Sequence, residues 1–86
     1  GFELNESGFL FFDYKQIRQQ DEDIFSSGKD QSSNLKVETY YVPGIDKQIH
    51  KAVINGNYYE IEYIDLSTDR KNMFWYLSKE GALNEV

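Results

Sequence analysis

Between residues 51 and 77, KAVINGNYYEIEYIDLSTDRKNMFWYL, the side chains alternate with a period of two around one pair of turn formers. Asn55-Gly56 divides two β-rich runs, and both residues tolerate the positive φ that a two-residue type I′ hairpin demands. After the turn, Tyr59, Ile61 and Tyr63 point one way and Tyr58, Glu60 and Glu62 the other, the pattern of a half-buried strand. Polar turn formers from Ser67 to Lys71 interrupt it. A third run then sets Met73, Trp75 and Leu77 against Phe74 and Tyr76. The prediction is a three-stranded meander with aromatics on both sides.

The same alternation predicts two strands upstream. Residues 9–15, FLFFDYK, put Leu10, Phe12 and Tyr14 on one face and Phe9 and Phe11 on the other. Two apolar faces suit an interior strand, or one that meets a partner chain. Residues 35–42, LKVETYYV, set Leu35, Val37, Thr39 and Tyr41 against Lys36, Glu38, Tyr40 and Val42, and Pro43-Gly44 ends the run. Residues 45–50 read as a loop. Between the upstream strands, residues 16–34 change character, with charged, amide and serine side chains around only Ile17, Ile24 and Phe25. One helical turn near residues 20–25 is compatible with this stretch, and the rest reads as an exposed loop. Loops this long in small domains are uncommon, and are either functional or plain solvated connections.

Strands are thus expected near residues 9–15, 35–42, 51–54, 58–65 and 72–77, with polar, flexible ends at 1–8 and 78–86. The expected fold is all-β: a single domain, a small antiparallel β-barrel or sandwich of about five to six strands with one long loop at 16–34. Its expected core is Leu10, Phe12, Tyr14, Val37, Val53, Tyr59, Ile61, Tyr63, Trp75 and Leu77.

Composition narrows the function classes. With 86 residues and no cysteine, the chain has room for one modest core and no disulfide or thiolate metal site to reinforce it. Seven tyrosines and six phenylalanines supply apolar area instead, and so small a core makes self-assembly an expectation. The formal net charge is −6, with nine Lys and Arg and no dense basic cluster. That disfavours ordinary nucleic-acid binding, which neutralises phosphates, and suits a protein past which DNA slides without sticking. No signal-peptide core or long apolar run is present, an argument against secretion and against a membrane span. The opening Gly1-Phe2, without Met, is expected to reflect a processed or trimmed start or a leading cleavage scar.

Catalytic signals are thin. His50 is the only histidine and reads as structural, because a base needs an orienting partner. Asp21-Glu22-Asp23 lacks the spaced ligands, central Gly and terminal Glu of a calcium loop, and reads as a solvated acidic turn. Glu60 and Glu62 share a strand face, where solvent-side glutamates are the ordinary reading against glycosidase-like acid–base chemistry. Nucleophile-elbow, phosphate-loop and dinucleotide motifs are absent, so no enzymatic activity, cofactor or metal is expected. The aromatic excess says more. Phe9, Phe11, Tyr58, Phe74 and Tyr76 fall on faces opposite the expected core. A stacking surface for single strands would need a basic groove, whereas a protein–protein interface needs only such rings. A barrel with both faces partly covered is the plain structural alternative.

Two groups of residues carry a family likeness. Ile17-Arg18-Gln19-Gln20-Asp21 follows an aromatic strand and precedes Leu35-Lys36-Val37-Glu38-Thr39. Then Val53-Ile54-Asn55-Gly56-Asn57-Tyr58-Tyr59-Glu60-Ile61 leads to Tyr63-Ile64-Asp65 and Met73-Phe74-Trp75-Tyr76-Leu77. In this order and spacing, over residues 9–77, the chain resembles the head-closure proteins of tailed siphophages and prophages, also called head–tail adaptors, stoppers or head-completion proteins. The resemblance implies a β-barrel that assembles as a homo-oligomeric ring in the virion neck, formed in the bacterial host cytoplasm. Such a ring would sit between portal or connector and tail, close the DNA-filled head, and offer the tail-completion protein a docking surface. DNA would pass through it without sequence-specific binding. The resemblance also implies a channel-facing loop, here residues 18–34, with Arg18, Gln19, Gln20, Asp21, Glu22, Asp23, Lys29 and Asp30 as its candidates. A lumen lined by Asp21, Glu22, Asp23 and Asp30 would repel the phosphate backbone. Neither cofactor nor membrane belongs to that picture. The alternative is a stand-alone SH3-like or OB-like barrel binding a peptide or single-stranded nucleic acid in an aromatic groove.

Overall fold

One curled antiparallel sheet accounts for the architecture. The structure, a computed structural model, describes residues 2–4, 9–25 and 33–82. Within them the strands are β1 (Phe2–Leu4), β2 (Phe9–Leu10), β3 (Asp13–Lys15), β4 (Leu35–Tyr40), β5 (Lys51–Ile54), β6 (Asn57–Leu66) and β7 (Asn72–Ala82). Their spatial order is β2-β1-β5-β6-β7-β4-β3, and every neighbouring pair is antiparallel. β2 and β3 lie at opposite edges, yet only Phe11 and Phe12 separate them in the chain. Three Cα–Cα steps span at most about 11 Å, so the two edges approach each other and the sheet is barrel-like. The strand expected at 9–15 is therefore broken, and it serves both edges.

Hairpin geometry decides which side chains meet inside the curl. Asn55 and Gly56 have φ of 50° and 77°, as a type I′ turn requires. The turn pairs Ile54 with Asn57, Val53 with Tyr58 and Ala52 with Tyr59. Directly paired residues share a face, so an inward Tyr59 brings Ala52 and Ile54 inward and sends Val53 outward with Tyr58. The buried core is Val37, Ala52, Ile54, Tyr59, Ile61, Met73, Trp75 and Leu77, with Leu10, Phe12, Leu35, Val42, Ile45 and Ile64 packed against it. Thr39 Oγ1 accepts the buried Trp75 indole N–H at 2.8 Å, so the largest core ring carries no unmet donor.

Three expected core positions change with the geometry. Val53 is half-buried on the outer face, for the register reason just given. Tyr63 is 43 % exposed because the β6–β7 register slips between Ile61 and Tyr63. A bulge there shifts the alternation, and Ile64 takes the inward position instead. Tyr14 pairs with Val37 and so shares its face, yet it is 57 % exposed, because β3 is an edge strand with no further described strand paired beside it. The ends differ too. Phe2–Leu4 pairs with β2 and β5 where a flexible end was expected, and β7 runs to Ala82 rather than stopping at Leu77. β4 ends at Tyr40, two residues short of expectation.

Candidate functional site

The long loop is not a free connection. Its described part folds back onto the outer face of the sheet, where Gln19–Ile24 forms a 3-10 helix. The local cause is Asp21. Its carboxylate accepts the Arg18 backbone N–H at 3.1 Å, while the Asp21 N–H donates to the Arg18 carbonyl at 2.9 Å. Arg18 Nε and Nη2 donate to the same carboxylate at 3.3 and 3.4 Å. Together these bonds close the first turn of the strap.

Two strands hold the strap from below. Lys36 on β4 and Tyr76 on β7 are directly paired, so both side chains project from the outer face side by side. Lys36 Nζ donates to Asp21 Oδ2 at 3.0 Å, and Tyr76 Oη donates to Oδ1 at 3.4 Å. The Lys36 ammonium also lies 5.1 Å from the Tyr76 ring centroid and 5.7 Å from that of Phe74, within cation–π range. Phe25, just past the helix, packs edge-on against Tyr76 with centroids 6.0 Å apart, and Tyr63 approaches the same ring at 5.9 Å. Asp21 is left 3 % exposed. Burial alone would push its carboxyl up, but hydrogen bonds from Arg18 and Lys36 outweigh that and hold it well below the usual carboxylate range.

Two clefts flank this arrangement. One, of about 340 Å³, opens beside the strap between Lys15, Arg18, Lys36, Asp65, Phe74 and Tyr76. The other, of about 200 Å³, lies where the broken edge meets β4, and Phe11, Phe12, Glu38, Tyr40 and Asn72 line it. Glu38 stands between them. It pairs with Lys15 Nζ at 3.0 Å and accepts Asn72 Nδ2 at 2.7 Å, and those hydrogen bonds hold its carboxyl below the ordinary range.

The candidate residues separate on this geometry. Arg18, Gln19, Gln20, Glu22 and Asp23 are exposed along the strap. Asp21 is buried against Lys36, so within one subunit it is not free to line a channel. Lys29 and Asp30 lie outside the described residues, as does the side chain of Phe9. Among the interface candidates, Phe11 and Tyr58 are exposed and Phe74 is half-buried, but Tyr76 is buried beneath the strap. Tyr58 and Phe74 sit toward opposite ends of the β6–β7 pairing, opposite Gly81 and Asp65 respectively. They therefore do not form one patch. Alternation sets Lys36 on the face opposite Val37, and its acidic partner comes from a separate loop, so nothing in its own neighbourhood, Leu35 and Val37, marks it as buried. The cleft roles of Lys15 and Asp65 and the exposure of Tyr40 were likewise unread.

His50 belongs to a turn. Its backbone N–H donates to the Asp46 carbonyl at 2.9 Å, and the Asp46 N–H reaches His50 Nδ1 at 3.0 Å. Among the described residues, no three His, Asp or Glu side chains gather as a metal site. Comparison of the chain with protein-family models, curated proteins and solved structures finds no match.

Proposed function

We propose that the protein is a structural subunit of a phage neck, assembling as a ring that closes the DNA-filled head and presents the tail attachment surface. The observation that carries this reading is a set of exposed aromatic rings at the smaller cleft. Phe11 and Tyr40 are each 80 % exposed there, and Tyr41 follows at 49 %. Grouped exposed rings mark contacts between proteins more often than ordinary surface. The order of motifs that resembles head-closure proteins names the kind of assembly. In a ring, the exposed Glu22 and Asp23, with Asp30, would repel DNA phosphates and let the duplex slide. Portal or connector protein on one side and tail-completion protein on the other would be its partners.

A stand-alone recognition barrel is the second reading, and the cleft beside the strap favours it. The two differ in assembly, since a ring needs contacts on two different surfaces of each subunit. Multi-angle light scattering of the purified protein, alone and mixed with portal–connector complexes, separates them. Many copies added to each connector are the expected result. A monomer that ignores the connector would overturn the neck reading and leave the recognition barrel.

A further inference from the structure

At the smaller cleft the sheet register sets two carboxylates side by side. Asp13 on β3 and Glu38 on β4 are directly paired, so both side chains leave the same outer face. Like charges placed opposite each other destabilise a strand pair. Only one of the two is compensated. Glu38 receives Lys15 Nζ at Oε1 and Asn72 Nδ2 at Oε2, so both of its oxygens are engaged. Asp13 is exposed and has no ion-pair partner among the described residues. Lys15, two positions along the same strand, is committed to Glu38. None of the described residues that line this cleft is basic.

Aromatic rings complete the arrangement. Tyr40 follows Glu38 by two positions on β4 and so stands on the same face, and Phe11 comes two positions before Asp13 at the broken edge. Both rings are 80 % exposed. A carboxylate beside an exposed ring suits a guanidinium, whose plane stacks on the ring while its N–H fork meets the two oxygens. We propose that the cleft docks an arginine side chain of a partner protein, with the guanidinium on Asp13 and its plane against Tyr40. Charge complementarity argues for this occupant. One added cation compensates the charge that Lys15 leaves unpaired, and a protein of net charge −6 draws cationic segments toward it. Lysine fits less well, because its ammonium is a strongly hydrated point charge without a plane to stack. At about 200 Å³ the cleft lies below the range of small-molecule pockets and has room for one long side chain. The inference rests on the reading of this cleft as a protein contact, and names what the contacting surface must carry.

The test titrates the peptide acetyl-Gly-Ala-Arg-Ala-Gly-amide into the isotope-labelled full chain at low salt. The expected result is saturable amide shifts centred on residues 11–13, 38–40 and 72. The same peptide with citrulline, a neutral isostere, in place of arginine should bind about three- to tenfold more weakly, the loss of one exposed ion pair and one cation–π contact. The lysine peptide should fall between the two. Asp13→Asn should weaken the arginine peptide to the citrulline level, while its urea midpoint stays at or above that of the native chain, because the fold loses a repulsion and no partner. A lower midpoint would make Asp13 a structural residue and overturn the proposal. So would absent shifts, equal affinity for the citrulline peptide, or equal shifts at the exposed Glu22 and Asp23, which would mark general attraction to an acidic protein. Addition to portal–connector complexes is read separately. Addition without peptide binding sinks this proposal alone, and peptide binding without addition sinks the neck reading alone.

Discussion

Asp21 shows how one residue changes its meaning between sequence and structure. In the chain it is the first of three acids in a polar loop, and acids in such loops are ordinarily solvated. In the fold it is the anchor of the strap, and Lys36 beneath it is buried too. Removing one member of a buried ion pair leaves the other charge without compensation, so Asp21→Ala should cost about 3–5 kcal/mol in urea unfolding at pH 7. The pH dependence has a definite sign. The folded Asp21 carboxyl titrates below its ordinary value of 3.8, so its stabilisation is fully present above that pH and drains away as the pH falls through the folded value. Urea midpoints measured from pH 5 downward should therefore fall more steeply for the native chain than for Asp21→Ala. Parallel curves would show that the ion pair does not hold the strap.

At the scale of elements, the β5–β6 hairpin was the most legible feature, because Asn55-Gly56 states both turn type and register. The register also contained an answer that alternation alone missed. A two-residue turn pairs position 52 with 59, so Tyr59 and Val53 cannot both face the core. Gly56 is held by its backbone conformation and not by crowding, since φ is 77° and no atom lies within 4 Å of where a Cβ would sit. Gly56→Ala should therefore destabilise by about 1–2 kcal/mol, the cost of left-handed backbone for an L-residue, without repacking the core. Thermal unfolding gives the size, and unchanged Trp75 fluorescence would confirm that the core is intact. The bulge at Glu62 was not legible. Glu62 accepts the Ser78 hydroxyl at 2.7 Å across the strand pair, and nothing local to Glu62 announces a partner sixteen residues away.

For the whole molecule, the informative fact is that residues 9–15 supply both edges of one sheet. The turn from one edge to the other buries part of Phe12 in the core and leaves Phe11 outside, next to Tyr40 on the opposite strand. Exposed rings of this kind contribute little to the isolated fold and much to association. The double substitution Phe11→Ser with Tyr40→Ser is expected to leave the urea midpoint within about 0.5 kcal/mol of the native chain, as exposed changes usually do. It should also abolish addition to portal–connector complexes in light scattering. Retained addition would place the assembly contact elsewhere on the barrel.

The sequence by itself determined the class of structure: alternation and turn residues specify antiparallel strands, and one inward stripe on β7, Met73, Trp75 and Leu77, was readable because its period runs without a break. These are local properties, expressed within a few residues by backbone preference and side-chain direction. Only the tertiary structure decided where the strand at 9–15 breaks, which tyrosines stay exposed, and that the acidic loop lies down on Lys36 and Tyr76. Each of those depends on a partner far along the chain, and an ion pair or an edge position carries no periodicity by which it can be recognised in advance.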